Sequence, residues 1–113
     1  MGENDTAAGW HPQTRLVHAG TERSAHGETS EALYLTQGFV YETAEAAEAR
    51  FKGEASGFVY SRYGNPTVRM FEDRVAALEG AEDAFATATG MAAVHGALMC
   101  QLQAGDHVVA ARA

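Results

Sequence analysis

The chain has 113 residues and a mass of 12.0 kDa, one domain's length, and its 8 Lys+Arg against 15 Asp+Glu give a formal charge of −7, which argues against a nucleic-acid partner. Hydrophobic residues make up 46 %, but alanine dominates them and isoleucine is absent, so a thin core is expected; Cys100 is the single cysteine, which excludes an internal disulfide or a multi-cysteine metal site and suits a reducing cytoplasm. No apolar run approaches the roughly eighteen residues of a membrane span, and the start Met1-Gly-Glu-Asn-Asp is acidic where an export leader is basic and then apolar, so neither membrane insertion nor export is expected.

Residues 1 to about 42 lack sustained periodicity and read as an extended arm with short apolar patches at Leu33-Tyr-Leu and Phe39-Val-Tyr. Thr43 can cap a helix over residues 44–51, with Glu48 four residues before Lys52 and Gly53 ending it. Its charges read as a solvated face without chemistry. Residues 53–65 are rich in Gly, Ser and Tyr, and then Asn65-Pro66 supplies an N-cap and a first-turn proline. Val68, Phe71, Val75 and Leu78 step by three, four and three, predicting one apolar face, and Gly80 closes that helix.

A strand is expected around Ala84-Phe-Ala-Thr, a turn at Thr89-Gly90, a helix from Met91 to about Gln103, and a second strand at His107-Val-Val-Ala. The order β-α-β predicts an α/β fold with a parallel sheet. Parallel sheets need several strands and helices on both faces, so the chain is expected to be the opening piece of a longer protein. The division expected is an arm with a short helix and a partner-contacting loop over residues 1–64, and the start of a cofactor domain over 65–113.

Two constellations carry chemistry. In Thr87-Ala-Thr-Gly-Met-Ala-Ala, the backbone amides of Gly90, Met91 and Ala92 point at one spot that suits a phosphate; a glycine kept there only for packing is the other reading. Around Arg62, the phenols of Tyr60 and Tyr63 crowd a guanidinium just before a helix start. If that stretch is extended, Tyr60 and Arg62 share a face and could grip one anion while Tyr63 points elsewhere; a tyrosine-rich loop packed on its own helix is the alternative. Cys100 and His95 read as packing residues of an apolar helix. His11, His18 and His26 lack the spacing of a metal site, and none is expected.

Tyr60-Ser-Arg-Tyr-Gly-Asn-Pro-Thr67, Leu78-Glu-Gly-Ala-Glu and Thr89-Gly-Met-Ala-Ala93, in this order, resemble the Cys/Met-metabolism family of pyridoxal-phosphate enzymes over about nine-tenths of the chain. That family includes cystathionine synthases and lyases, methionine lyases and homoserine-ester sulfhydrylases. Thr14-Arg-Leu-Val-His-Ala-Gly20, Gly27-Glu-Thr-Ser-Glu-Ala-Leu33 and Phe39-Val-Tyr-Glu-Thr-Ala-Glu45 are most similar to its O-succinylhomoserine sulfhydrylase branch.

The resemblance implies a fold-type-I transferase, represented here by the N-terminal arm and the first β-α-β unit. It implies pyridoxal 5′-phosphate as cofactor, a tetramer of paired dimers, and replacement of succinate by sulfide to give homocysteine. A cystathionine γ-synthase or methionine γ-lyase activity is the alternative within the family, and a non-catalytic phosphate-binding or subunit-interaction fragment the alternative outside it. Tyr60 and Arg62 then reach the cofactor phosphate of a neighbouring subunit, while the Gly90 and Met91 amides, with Thr89 in place of the family's usual serine, hold it within their own. Lys52, at the end of a charged helix, is not the residue expected to carry the cofactor; that lysine is expected beyond Ala113, and the 113 residues alone are expected to be inactive.

Overall fold

The computed structural model describes residues 9–112; the acidic start read above as no export leader lies outside them. Among the described residues four helices form: α1 (Pro12–His18), α2 (Ala44–Phe51), α3 (Pro66–Glu79) and α4 (Gly90–Met99). α1 interrupts what the sequence predicts as an extended arm. Pro12 sits at its first position with φ preset for a helix, and the Thr14 and Arg15 amides donate to the His11 carbonyl at 2.9 and 3.0 Å.

α2 follows expectation. The Thr43 hydroxyl accepts from the Ala46 amide at 3.1 Å, Glu48 pairs with Lys52 one turn on, and no residue of the helix is buried. α3 is set at both ends by the residues that announce it. The Asn65 carboxamide oxygen accepts from the Thr67 amide at 2.9 Å, and Pro66 lies in the first turn. Gly80 leaves the helix in the left-handed region at φ 66, where the Ala81 amide still reaches the Ala76 carbonyl at 3.0 Å.

The packed face of α3 is not the one the sequence predicts. Met70 and Ala76 are buried at 2 % and 7 % exposure, whereas Val68 and Phe71 of the predicted stripe are exposed and Val75 and Leu78 only half-buried. At 100° per residue, the Val68–Phe71–Val75–Leu78 face lies opposite the face holding Met70 and Ala76. The reason is what each face meets: α1 and the following turn cover the Met70 side, while the described residues cover the stripe only in part.

The docking of the arm on α3 is specific. Ala19 is buried against it, the Glu22 amide lies 3.2 Å from the Met70 sulfur, and the Arg74 guanidinium donates to the Ala19 carbonyl and the Thr21 hydroxyl at 3.0 Å each and pairs with Glu31. Further along, the Tyr34 amide donates to the Thr67 hydroxyl at 2.9 Å and the Asn65 amide nitrogen donates to the Tyr34 carbonyl at 2.9 Å. An antiparallel bridge between Gly38 and Tyr60, with the Ser61 amide on the Gln37 carbonyl at 2.9 Å, then brings the arm alongside the turn that precedes α3.

α4 starts at Gly90 and stops at Met99, with Cys100 as its cap, shorter than the expected run to Gln103. The β-α-β expectation is met only in its helix: residues 84–87 and 107–110 have no strand partner among the described residues. A parallel strand exists only where a neighbour satisfies its amides, and these segments lack one here. Cys100 and His95, expected inside, are exposed for the same reason, since nothing described packs on α4. The thin core is observed. Among the described residues the buried apolar side chains are Ala19, Pro66, Met70 and Ala76, and the radius of gyration of 17.6 Å exceeds the roughly 13 Å of a compact domain of about 100 residues.

Candidate anion-binding site

Residues 60–63, shortly before α3, curl rather than extend. The Tyr63 and Gly64 amides both donate to the Tyr60 carbonyl, at 2.9 and 3.1 Å, closing a turn over residues 60–63. The Arg62 guanidinium carbon thereby lies 5.1 Å from the Tyr60 ring centroid and 5.6 Å from that of Tyr63, with the two rings 6.3 Å apart edge to face. Tyr63 therefore does not point away from Tyr60 and Arg62, as an extended stretch would require. The turn folds it back so that both rings flank one cation.

Arg62 is exposed and has no ion pair among the described residues; of the carboxylates lining its cleft, Asp83 pairs with Arg69, and Glu72 pairs with Arg69 and accepts from the Ala86 amide. Cation–π contact attracts a guanidinium by its charge and takes none of its N–H groups as a carboxylate oxygen would. The Tyr60 hydroxyl accepts a hydrogen bond from the Gln37 amide nitrogen at 2.7 Å. No described residue accepts the Tyr60 proton.

The second constellation opens α4. The Thr89 hydroxyl accepts from the Ala92 amide at 3.1 Å and the Thr89 carbonyl from the Ala93 amide at 3.1 Å. Ala92 is thus used in capping and drops out of the expected set of free amides. Gly90 and Met91 remain, without an acceptor among the described residues, at the positive end of a ten-residue helix. Gly90 is not needed for a left-handed turn, and a Cβ built there meets nothing within 4 Å. Neither backbone angle nor packing within the described chain accounts for the glycine.

An open cleft of ≈ 480 Å³ lies beside the first constellation, lined among others by Arg62, Tyr63, Arg69, Glu72, Asp83 and Phe85. Its far wall is closed to anions. Arg69 donates to Asp83 at 2.9 Å and pairs with Asp73 at 2.7 Å, and the Asp83 hydrogen bond raises the Arg69 pKa further. Asp83 is held below the usual carboxylate range by the Ala84 amide first and by Arg69 second.

The structure thus brings Tyr60, Arg62 and Tyr63 together, adds Gln37, and keeps Thr89, Gly90 and Met91 together at α4. No hydrogen bond joins the two groups. Sequence reasoning missed Gln37, which lies 23 residues from Tyr60 and carries no local signal. A guanidinium free of internal acids, a phenol with an undirected proton and two free helix-start amides fit a phosphate monoester.

Residues 13–113 match the family model described as Cys/Met metabolism PLP-dependent enzyme. The chain belongs to this family. Family relatives include an O-succinylhomoserine sulfhydrylase from Pseudomonas aeruginosa, 54% identical over 99 residues (88% of this chain, 25% of the relative), and one from Mycobacterium tuberculosis, 57% identical over 96 residues (85% and 24%). A solved structure from Campylobacter jejuni, described as an O-acetylhomoserine (thiol)-lyase and holding N′-pyridoxyl-lysine-5′-monophosphate, superposes with a TM-score of 0.75 at 30% identity over 80% of this chain and 22% of that one. The chain spans about a quarter of the length of the curated family members it matches. Among the described residues no helix is long and apolar enough to cross a membrane.

Proposed function

We propose that the chain is the N-terminal part of a cytoplasmic, pyridoxal-phosphate-dependent O-succinylhomoserine sulfhydrylase, in which sulfide replaces succinate at Cγ to give homocysteine. The likeness to two sulfhydrylases of that name carries the substrate, and the free Arg62 edge carries the site. In this reading residues 1–64 form an arm and partner-contacting loop, and residues 65–113 open the α/β cofactor domain, where residues 84–87 and 107–110 find their strand neighbours.

Pyridoxal phosphate, when bound, supplies an electron sink for carbanions formed on the amino-acid substrate. The chain's own residues hold its phosphate. Arg62 offers edge N–H groups and charge, and Tyr60 donates one hydroxyl proton. Gly90 and Met91 donate two backbone amides, and Thr89 fixes their direction by capping α4. The two groups share no hydrogen bond in one chain, which supports assembly of the phosphate site from two copies, as in a dimer within a tetramer. Lys52 is ion-paired with Glu48 on an exposed helix and takes no part.

The test is cofactor retention and turnover in the whole protein, with O-succinylhomoserine and sulfide supplied and homocysteine measured. Arg62→Ala is expected to weaken pyridoxal-phosphate binding at least about tenfold, the size of a hydrogen-bonded charge contact, while Arg69→Ala, spent on Asp83 and Asp73, leaves it within about twofold. Equal losses would remove the phosphate assignment. No homocysteine and no free succinate from O-succinylhomoserine and sulfide, with the cofactor bound, would remove the substrate.

A further inference from the structure

We propose that Gln37 is a positioning residue that aims the Tyr60 hydroxyl proton at the phosphate; this rests on the reading of Tyr60 and Arg62 as phosphate ligands. A phenol oxygen has one proton to give, lying near the ring plane, and accepts on its remaining side. The Gln37 amide nitrogen occupies that accepting side at 2.7 Å. The other polar neighbour of the ring, Arg62, sits over its face and is a donor only. With both neighbours donors, the Tyr60 proton has nowhere internal to go and turns away from Gln37 toward an acceptor from outside.

The backbone makes this contact dependable. Gln37 is held beside Tyr60 by the Gly38–Tyr60 bridge, by the Ser61 amide on the Gln37 carbonyl at 2.9 Å, and by the Ser61 hydroxyl on the Thr36 carbonyl. Asn65 braces the same segment, its amide nitrogen donating to the Ser61 hydroxyl at 3.0 Å. None of these bonds uses the Gln37 side chain, which is exposed. The side chain can therefore be changed without releasing the arm.

The experiment is a double-mutant cycle on the whole protein, reading the dissociation constants of pyridoxal phosphate and of pyridoxal, which lacks the phosphate, by equilibrium dialysis. Gln37→Met keeps length and removes the donor; Tyr60→Phe removes the hydroxyl. Each single variant is expected to weaken pyridoxal phosphate by about fivefold to tenfold, with pyridoxal unchanged. The double variant is expected to match Tyr60→Phe alone, because Gln37 acts only through that hydroxyl. Losses that multiply, or a loss in Gln37→Met that pyridoxal shares, would make Gln37 merely structural and overturn the proposal. So would a neutral Gln37→Met beside a weakened Tyr60→Phe. If Tyr60→Phe and Arg62→Ala are both neutral, the phosphate reading itself fails, a result distinct from the others.

Discussion

Gly20 is where the arm is most exposed to a single added carbon. Its φ of +72° is one that a side chain resists, and a Cβ there would sit 2.8 Å from the Met70 carbonyl oxygen, 2.9 Å from the Asp73 Cβ and 3.0 Å from the Arg74 nitrogen. Two of those atoms are helix backbone and cannot swing aside. Gly27 supplies the control, since its φ of +65° carries the same angular penalty with nothing within 4 Å. Gly27→Ala should therefore cost about 1 kcal/mol for the left-handed angle alone. Gly20→Ala should add overlap of about 1–3 kcal/mol, for a total of about 2–4 kcal/mol. The assay is hydrogen exchange across the Ala19, Thr21 and Glu22 amides, with thermal unfolding of the whole protein as the global measure. Gly20→Ala should accelerate exchange in that segment through loss of the Arg74 and Met70 contacts, and Gly27→Ala should leave it slow. If the two variants lose the same stability, close packing of the arm on α3 is not what Gly20 provides.

Gly90→Ala places its methyl in open space, so the fold should change by less than about 0.5 kcal/mol while pyridoxal-phosphate affinity drops; equal stability and unchanged affinity would leave Gly90 without a ligand role. Glu28 is lowered to about 2, first by the Ser24 hydroxyl and then by the Ser24 amide. Because its folded pKa is depressed from 4.5, the turn it braces is fully supported above that value and loosens as the pH falls through about 2; Ser24→Ala should bring the carboxyl back toward 4.5 in an NMR titration, and an unmoved titration would refute the brace. Asn65→Ala removes the α3 cap together with both bonds to the arm and turn, on Tyr34 and Ser61, and should cost about 2–4 kcal/mol in chemical unfolding, against about 1 kcal/mol for an isolated cap.

Helix ends were legible because they are written in single residues. Thr43, the Asn65-Pro66 pair and Gly80 each satisfy or terminate local backbone groups where the sequence places them, whereas α4, expected from Met91 to about Gln103, runs from Gly90, capped by Thr89, to Met99. What a face packs against is not local. Periodicity finds the largest apolar stripe of α3, but it cannot name the surface that meets it, and in the described chain the arm covers the opposite side. The two expected strands fail on the same ground, since strand pairing is a property of a neighbour. The Tyr-Arg turn was half legible: residue types pointed to an anion, but the local hydrogen bonds to the Tyr60 carbonyl decided that Tyr63 joins Tyr60 around Arg62. α1 had its signal in Pro12, which polar composition around it obscured.

The acidity of the chain sharpens the meaning of Arg62. With a net charge of −7, carboxylates outnumber cations, yet Arg62 pairs with none of them among the described residues. Arg69 has found Asp73 and Asp83, and Arg74 has found Glu31. An internal acid would compete directly with an incoming phosphate for the same fork of N–H donors. Tyrosine faces do not compete, because they attract the guanidinium by its charge and accept none of its N–H groups as a carboxylate oxygen would. Holding Arg62 between Tyr60 and Tyr63 therefore preserves its charge for an anion while restricting its motion. Gln37 extends this by denying Tyr60 an internal use for its proton. The turn, the arm and the two rings are consequently one device, whose parts lie 23 residues apart in the chain and are joined by the Gly38–Tyr60 bridge and the hydrogen bonds of Gln37 and Ser61 beside it.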